Sequence, residues 1–170
     1  MAKAAKHAAF FNRLRELFSY DPDTGVFRYI KSPYRGHLVG SVAGTKTLSG
    51  YSKIVIGGRE YRAHRIAWLW MTGAWPKGEI DNINLDKSDN RWCNLRLATG
   101  SQNTANTRAK PFNKSGVKGV CWHKLARKWR ATITVNRKQH HLGFFCTLES
   151  AAAAYAAAAE QHFGEFARVE

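Results

Sequence analysis

The 170-residue sequence is poor in cysteine and has no long apolar run. Its three cysteines, Cys93, Cys121 and Cys146, include no Cys-x-x-Cys pair, which gives no support to a zinc knuckle or a disulfide framework. We expect reduced thiols that are buried or partly buried. No stretch approaches the roughly 20 apolar residues of a membrane span, and the N-terminus lacks the apolar centre of a signal peptide. These absences predict a cytoplasmic protein without a membrane partner.

Acidic residues are scarce as well. The chain has 27 Lys and Arg against 12 Asp and Glu, a formal net charge of +15, and residues 90–148 contain no acidic residue but 12 Lys and Arg. Clustered positive charge neutralises phosphates, and the aromatic residues between the charges indicate folded structure rather than a basic tail. A nucleic acid is therefore the favoured partner, and the alternative is a basic surface that serves only solubility.

Local patterns predict a mixed α+β chain. Helical spacing of apolar residues predicts helices, and alternation predicts strands, at these positions: helices 4–18 and 64–72, and strands 26–30, 51–56 and 60–63. The second half is predicted to contain strands 79–82, 94–98, 117–123, 128–135 and 139–145, with helices from about 99 and over 148–162. Proline, lysine and serine in residues 108–115 indicate a linker.

The densest polar chemistry lies in residues 79–107. Asp81, at the end of a predicted strand, is expected to face Asn103 on the following helix, and two oxygen ligands on opposing elements can hold a hard divalent cation. Oxygen-only ligation disfavours zinc and suits Mg²⁺ or Mn²⁺. The alternative is an asparagine-rich turn without metal.

This segment resembles the HNH endonuclease family of the phage and homing type. The motifs EIDNIN, NRWCNLR and SQNTANT carry the resemblance, which extends from Arg62 to Arg108. It implies a site-specific endonuclease that hydrolyses phosphodiesters of double-stranded DNA, takes no small-molecule substrate, and resides in the host cytoplasm if phage-encoded. It also implies one Mg²⁺ or Mn²⁺ per active site held by Asp81 and Asn103, with Asn94 orienting the catalytic base. The oligomeric state stays open.

Asn82 departs from the family pattern, in which a histidine follows the aspartate and takes a proton from the attacking water. A carboxamide has no basic nitrogen near neutral pH, so we predict that the chain binds DNA but cleaves it very poorly. Three explanations stay open: an engineered replacement, natural degeneration to a non-enzymatic DNA-binding regulator, or a different base. The nearest candidate base in sequence is His64.

The strand predicted over residues 128–135 alternates cleanly. Trp129, Ala131, Ile133 and Val135 share one face, which the alanine-rich helix is expected to cover, since small side chains permit close approach. The opposite face carries Arg130, Thr132 and Thr134. A polar, basic sheet surface of this kind fits a DNA major groove.

Residues 116–168 resemble an ethylene-response-factor-type DNA-binding domain, through the Lys128-Trp129 pair, the LGFF of residues 142–145 and the AAAAY ending at Tyr155. The resemblance implies a three-stranded antiparallel sheet in the major groove, packed on one helix. We therefore predict an α+β chain with an HNH nuclease domain over residues 1–109 (ββα-metal core about 79–107), a linker over 110–115 and the second DNA-binding domain over 116–170.

The resemblance implies that Lys118, Cys121, His123, Arg130, Thr132, Gln139 and His141 occupy sheet positions that face DNA. The other residues expected to contact DNA are Arg91, Arg96, Arg108, Lys124, Arg127, Lys128 and Thr134. Cys121, Thr132 and His141 replace the arginine, glutamate and tryptophan often found in plant members, so the family's sequence preference does not transfer.

Overall fold

The computed structural model describes residues 2–31 and 38–169. The chain divides into two compact units, Met1–Leu97 and Ala98–Glu170. The residues predicted to form a linker, 110–115, lie inside the second unit, and the predicted division into domains 1–109 and 116–170 stays a prediction. Within the described residues, no helix is long and apolar enough to cross a membrane.

The elements of the first unit are short strands between two helices and a polar loop. In chain order they are α1 (Ala2–Leu17), β1 (Phe18–Asp21), β2 (Val26–Tyr29), β3 (Thr45–Lys46), β4 (Ser52–Ile56), β5 (Arg59–Arg62), α2 (Ala63–Thr72), β6 (Glu79–Asn82), a 3₁₀ turn (Trp92–Asn94) and β7 (Leu95–Ala98). β1 pairs with β2, β3, β4 and β5 form one antiparallel sheet, and β6 pairs with β7. Leu14, Phe18, Ile54, Ile66 and Leu69 form the fully buried centre of its apolar core.

The second unit contains α3 (Gly100–Ala105), β8 (Val120–His123), β9 (Lys128–Val135), β10 (Lys138–Phe145), α4 (Leu148–Phe163) and a 3₁₀ turn (Gly164–Phe166). The three strands form an antiparallel sheet in the order β10-β9-β8, and α4 packs on one of its faces. Ala131 and Ile133 of β9 are buried with Ala151, Tyr155 and Ala159 of α4, as the alternation predicted. The predicted α+β class, with a three-stranded sheet on one helix, is confirmed.

Capping side chains fix where the helices of the second unit begin. The Thr147 hydroxyl accepts a hydrogen bond from the Ser150 backbone N–H at 3.1 Å and so caps α4. At α3, Thr99 and Gln102 form a reciprocal capping box. Thr99 is therefore the cap of α3.

Two expectations differ from the structure. Phe18 was expected to end the first helix and instead opens β1, where Phe18 and Tyr20 are buried on alternating positions against the core. Cys93 and Cys146 are exposed, so the expectation that every thiol is at least partly buried was wrong. Cys93 lies in the 3₁₀ turn before β7, and Cys146 follows the last residue of β10, so neither lies within a strand.

Gly119 packs tightly against the Tyr155 ring and the backbone of β9. Its φ is +72°, and a Cβ there would lie 2.3 Å from the Tyr155 ring and 2.4 Å from the Thr132 carbonyl oxygen. We expect Gly119→Ala to lower the free energy of unfolding by about 3 kcal/mol, because strain adds to overlap. Gly116 has a φ of +70° and open space around it. Gly116→Ala should therefore lower the free energy of unfolding by only about 1 kcal/mol. Urea titration of both variants measures the two losses, and equal losses would contradict the packing argument.

Candidate functional site

β6 ends in two buried polar residues, Asp81 and Asn82, which are 3% and 5% exposed. The Arg96 Nε on β7 donates to the Asp81 Oδ2 at 2.9 Å, and this ion pair is almost fully removed from water. A buried carboxylate needs such a partner, because an uncompensated charge in the interior is costly. β7 therefore supplies the cation that holds the Asp81 carboxylate in place.

The loop between β6 and β7 is held by asparagine side chains that share one acceptor. The Asn82 Nδ2 donates to the Asp89 carbonyl oxygen at 2.7 Å, and the Asn94 Nδ2 donates to the same oxygen at 3.0 Å. The Asn94 Oδ1 accepts from the Asn84 backbone N–H at 3.0 Å. Asn94 thus ties both ends of the loop together and lies against the acceptor that Asn82 uses.

The Asp89 side chain joins two further residues of this loop. Its carboxylate accepts hydrogen bonds from the Arg91 guanidinium at 2.6 Å and from the Asn84 Nδ2 at 2.7 Å. The hydrogen bond from Arg91 is the main cause that holds the pKa of Asp89 below its ordinary value. Arg91, predicted to contact DNA, therefore has a protein partner here.

The hairpin of β1 and β2 supports the loop from a distant part of the sequence. The Tyr20 hydroxyl donates to the Asn90 backbone carbonyl oxygen at 2.7 Å, and the Trp92 backbone N–H donates to the Pro22 carbonyl oxygen at 2.8 Å. Gly25 packs so closely against the backbone of this loop that an added Cβ would lie 2.4 Å from the Arg91 backbone nitrogen. The Asp-Pro-Asp-Thr-Gly pattern of residues 21–25 indicates a turn but not the loop that the turn contacts, so these contacts were not predictable from the sequence.

His64, the alternative candidate base, lies at the start of α2 and is 6% exposed. Its ring packs on Tyr51 with 5.2 Å between centroids, and its Nδ1 has no hydrogen-bond partner among the described residues. Burial, together with the positive charges of Arg62 and Arg65, lowers the pKa of His64 to about 4. Such a weak base is poorly matched to proton abstraction near neutral pH.

This burial predicts a pH-dependent loss of stability. In the unfolded chain His64 binds a proton below about pH 6.5, whereas the folded chain resists protonation until about pH 4. Stability is therefore full above pH 6.5 and falls by about 3 kcal/mol as the pH drops to about 4. We expect urea unfolding at about pH 7.5 and pH 4 to show this loss in the parent chain. In His64→Gln, which has no imidazole at this position, the difference in unfolding free energy between the two pH values should be smaller by about 3 kcal/mol. Parallel losses in the two proteins would contradict the assignment.

Asn103 lies in the second unit, half-buried on α3, and its backbone N–H donates to the Thr99 carbonyl oxygen at 2.9 Å. Asp81 belongs to the first unit. The convergence of these two side chains on one cation stays a prediction. Across residues 2–31 and 38–169 there is no cluster of three His, Cys, Asp or Glu side chains that could hold a metal.

Comparison with known proteins identifies a family for the segment that contains Asp81 and Asn82. A family model described as HNH endonuclease matches residues 61–105, the segment from β5 to the end of α3. Protein 3.8 of Escherichia phage T7 is 38% identical over 108 residues, which cover 63% of this chain and 88% of that protein. Residues 61–105 of the chain therefore form an HNH endonuclease family segment. An uncharacterized HNH endonuclease of Acanthamoeba polyphaga mimivirus is 36% identical over 88 residues, which are 52% of this chain and 44% of that protein.

No solved structure shows a significant match to this chain. HNH endonucleases act on DNA and generally use divalent metal ions, and the match extends over residues 61–105 of this chain. The HNH match contains Asp81, Asn82, Asn94 and Asn103, so the buried polar residues of β6 and the residues that hold its loop lie within the family segment.

Outside the HNH match, the sheet of the second unit carries most of the residues predicted to contact DNA. Partners in the strand register point to the same side, so two pairs, Cys121 with Arg130 and Thr132 with His141, lie opposite the face that packs on α4. We call this surface the open face. Other members of the predicted set on the open face are His123, Lys128, Thr134 and Gln139.

Three predicted DNA contacts are occupied by protein groups. Arg91 and Arg96 pair with Asp89 and Asp81, as described above. The Lys118 Nζ donates to three carbonyl oxygens at the end of α3, those of Thr104 (3.0 Å), Ala105 (2.7 Å) and Thr107 (2.8 Å). Burial, and next the charge of Arg168, lower the pKa of Lys118 to about 8. The exposed members of the set are Arg108, Lys124, Arg127, Lys128, Thr134, Gln139 and His141.

Proposed function

We propose that this chain is a site-specific, metal-dependent DNA endonuclease of the homing type whose hydrolytic step is impaired by Asn82. One observation carries the proposal: Asn82 lies buried beside Asp81 at the end of β6, inside the HNH match, and donates to the Asp89 carbonyl oxygen at 2.7 Å. The resemblance given above has histidine at this position.

The hydrogen bond of Asn82 is the one that a histidine there would make through its Nδ1–H. In catalytic histidines that bond fixes the tautomer and leaves the Nε2 lone pair to take a proton. Asn82 matches the imidazole only at the atom that donates. The site therefore keeps the hydrogen bond that orients the side chain but lacks the basic nitrogen.

Asp81 and Asn103 are the residues that would hold Mg²⁺ or Mn²⁺. Their donors fit a hard cation, because both supply oxygen, and the Arg96 guanidinium on Asp81 is the kind of hydrogen-bonding partner that orients a ligating carboxylate. When bound, the cation would stabilise the charge that develops on the phosphate and on the leaving 3′ oxygen. Asn94, through the shared acceptor, would keep residue 82 aimed at the substrate.

The second unit is proposed to bind the duplex through its open face, as an ethylene-response-factor-type domain does. Support comes from the strand register, which places Arg130 and Thr132 on the side away from α4, and from the exposed basic turn at Lys124 and Arg127. Arg and Lys on such a face bind phosphates or guanine edges, and hydroxyls bind either. Site choice would then reside in this unit.

A second candidate function is a non-enzymatic DNA-binding regulator, which Asn82 itself favours because it removes the general base. The test is a nicking assay on supercoiled plasmid with Mg²⁺ or Mn²⁺, using the chain and Asn82→His. Activity restored by histidine, with 5′-phosphate and 3′-hydroxyl ends, supports the endonuclease. If Asn82→His folds and binds duplex DNA but leaves the plasmid intact, the regulator is the correct reading.

A further inference from the structure

Phe144 is an apolar residue on a surface that is otherwise basic and polar. Its register partner on β9 is Arg130, so it lies on the open face, and its side chain is 43% exposed. The next residue, Phe145, pairs with Trp129 and packs against the core under α4. Residues 144 and 145 therefore place one phenyl ring on each side of the sheet.

A β-bulge puts Phe144 on this face. The register of β10 shifts between His141 and Gly143, so that His141 pairs with Thr132 while Phe144 pairs with Arg130. In a regular strand, residues three apart point to opposite sides. The bulge brings His141 and Phe144 to the same side, and re-aiming a side chain is what bulges commonly do beside binding sites.

The phenyl ring is held between two imidazoles. Its centroid lies 5.1 Å from that of His123 and 4.9 Å from that of His141. His123 is fixed in turn, because its Nδ1 accepts the Ala126 backbone N–H at 3.1 Å. The exposed edge of Phe144 is therefore presented in one position, which lowers the entropy cost of a contact made through it.

Arg130, beside Phe144, is ready for an oxygen acceptor. Its Nη2 donates to the Cys121 sulfur at 3.5 Å, which is only a weak acceptor, while its Nε is buried and has no hydrogen-bond partner among the described residues. An Arg in this state gains by bonding a guanine edge or a phosphate. The open face thus pairs a cation that lacks a strong acceptor with an adjacent apolar ring.

From this pairing we infer that Phe144 contacts the 5-methyl group of a thymine in the major groove of the bound duplex, next to the nucleotide that Arg130 engages. The inference rests on the proposed function, since it requires duplex DNA on the open face. The thymine methyl is the apolar group that base pairs present in the major groove, and Phe is among the residues that contact it. Phe144 thereby sets a preference for thymine at one position of the target.

Duplex DNA suits this surface better than an apolar protein partner. Eight exposed Lys and Arg lie in the second unit between residues 98 and 148, the same stretch that contains the open face and no acidic residue. Single-stranded nucleic acid would need a flat ring on which bases stack. Phe144 instead lies between His123 and His141, with only part of its ring exposed.

The test replaces thymine by deoxyuridine, which removes only the methyl group. Target sites are first selected with the full-length chain from a random 30-base-pair duplex pool, and one selected site is then synthesised with either base at each thymine in turn. We expect deoxyuridine at one position to weaken binding by about 3- to 5-fold, the effect of one buried methyl group. Phe144→Ala should bind both duplexes equally, whereas Phe144→Leu should keep the discrimination.

Phe112 provides the matched control, since it is 78% exposed and lies outside the sheet. Phe112→Ala should discriminate as the parent does, and thermal melting verifies that each variant is folded. Duplex binding that is indifferent to deoxyuridine at every position overturns the inference while leaving the proposed function intact. Tighter binding to the single strand, lost in Phe144→Ala, overturns it in favour of base stacking. No binding to any duplex in the pool, even at low salt, would refute the proposed function itself.

Discussion

Replacing Asn82 by histidine should raise the rate of metal-dependent nicking by about 10²–10⁴-fold, the usual contribution of a general base. The structure explains why so small a change should suffice. The acceptor for a histidine Nδ1–H already exists at the Asp89 carbonyl oxygen, 2.7 Å from the Asn82 Nδ2. The Asp81 carboxylate is already oriented by Arg96.

The measurement is the initial rate of conversion of supercoiled to relaxed plasmid, with Mg²⁺ and with chelator. Asn82→Ala is the matched control, because it loses the hydrogen bond to Asp89 without gaining a base, and it should stay as slow as the parent. Adding Asp81→Ala to the histidine variant should remove the gain if this carboxylate is a ligand. A folded, DNA-bound histidine variant no faster than the alanine control would refute the hydrolytic mechanism.

Binding to duplex DNA should weaken by about 10³–10⁵-fold between roughly 50 and 200 mM salt, the loss expected for about eight phosphate contacts. The second unit offers a matching set of exposed cations within residues 98–148: Arg108, Lys110, Lys114, Lys124, Arg127, Lys128, Arg137 and Lys138. Because counterion release depends on the number of neutralised phosphates, the slope of log affinity against log salt counts these contacts.

Single substitutions refine the count. Arg127→Gln should reduce the salt slope by about one, since Arg127 is exposed in the β8–β9 turn. Lys118→Gln should change the slope little, because the Lys118 ammonium is already bound to carbonyl oxygens at the end of α3. Fluorescence anisotropy across a salt series measures both. A nearly flat dependence for the parent chain would contradict an electrostatic footprint on the open face.

Elements with strong local periodicity were predictable from sequence. β9 has the predicted bounds and faces, because alternation over eight residues specifies which side chains are buried. α4 begins after Thr147, as predicted, because a threonine before an alanine-rich run provides both the cap and the helix propensity. β6 and its Asp81-Asn82 end were identified from polar residues in family order.

Long-range contacts were not predictable. Nothing local to Tyr20 indicates that its hydroxyl bonds a carbonyl 70 residues away. The bulge between His141 and Gly143 changes the side of the sheet on which Phe144 lies, so simple alternation along β10 would assign Phe144 to the wrong face. Lys118 was predicted to contact DNA from the resemblance to the ethylene-response-factor-type domain, whereas its hydrogen bonds to the end of α3 depend on tertiary structure.

The support that the β1–β2 hairpin gives to the loop between β6 and β7 bears on how a minimal fragment should be cut. The family segment of residues 61–105 omits Tyr20, Pro22 and Gly25, which fasten the backbone of residues 90–92. An excised segment would leave the Asn90 and Trp92 backbone groups without these partners. A fragment that contains the HNH segment should accordingly begin upstream of the last turn of α1, and shorter fragments should yield insoluble or unfolded polypeptide.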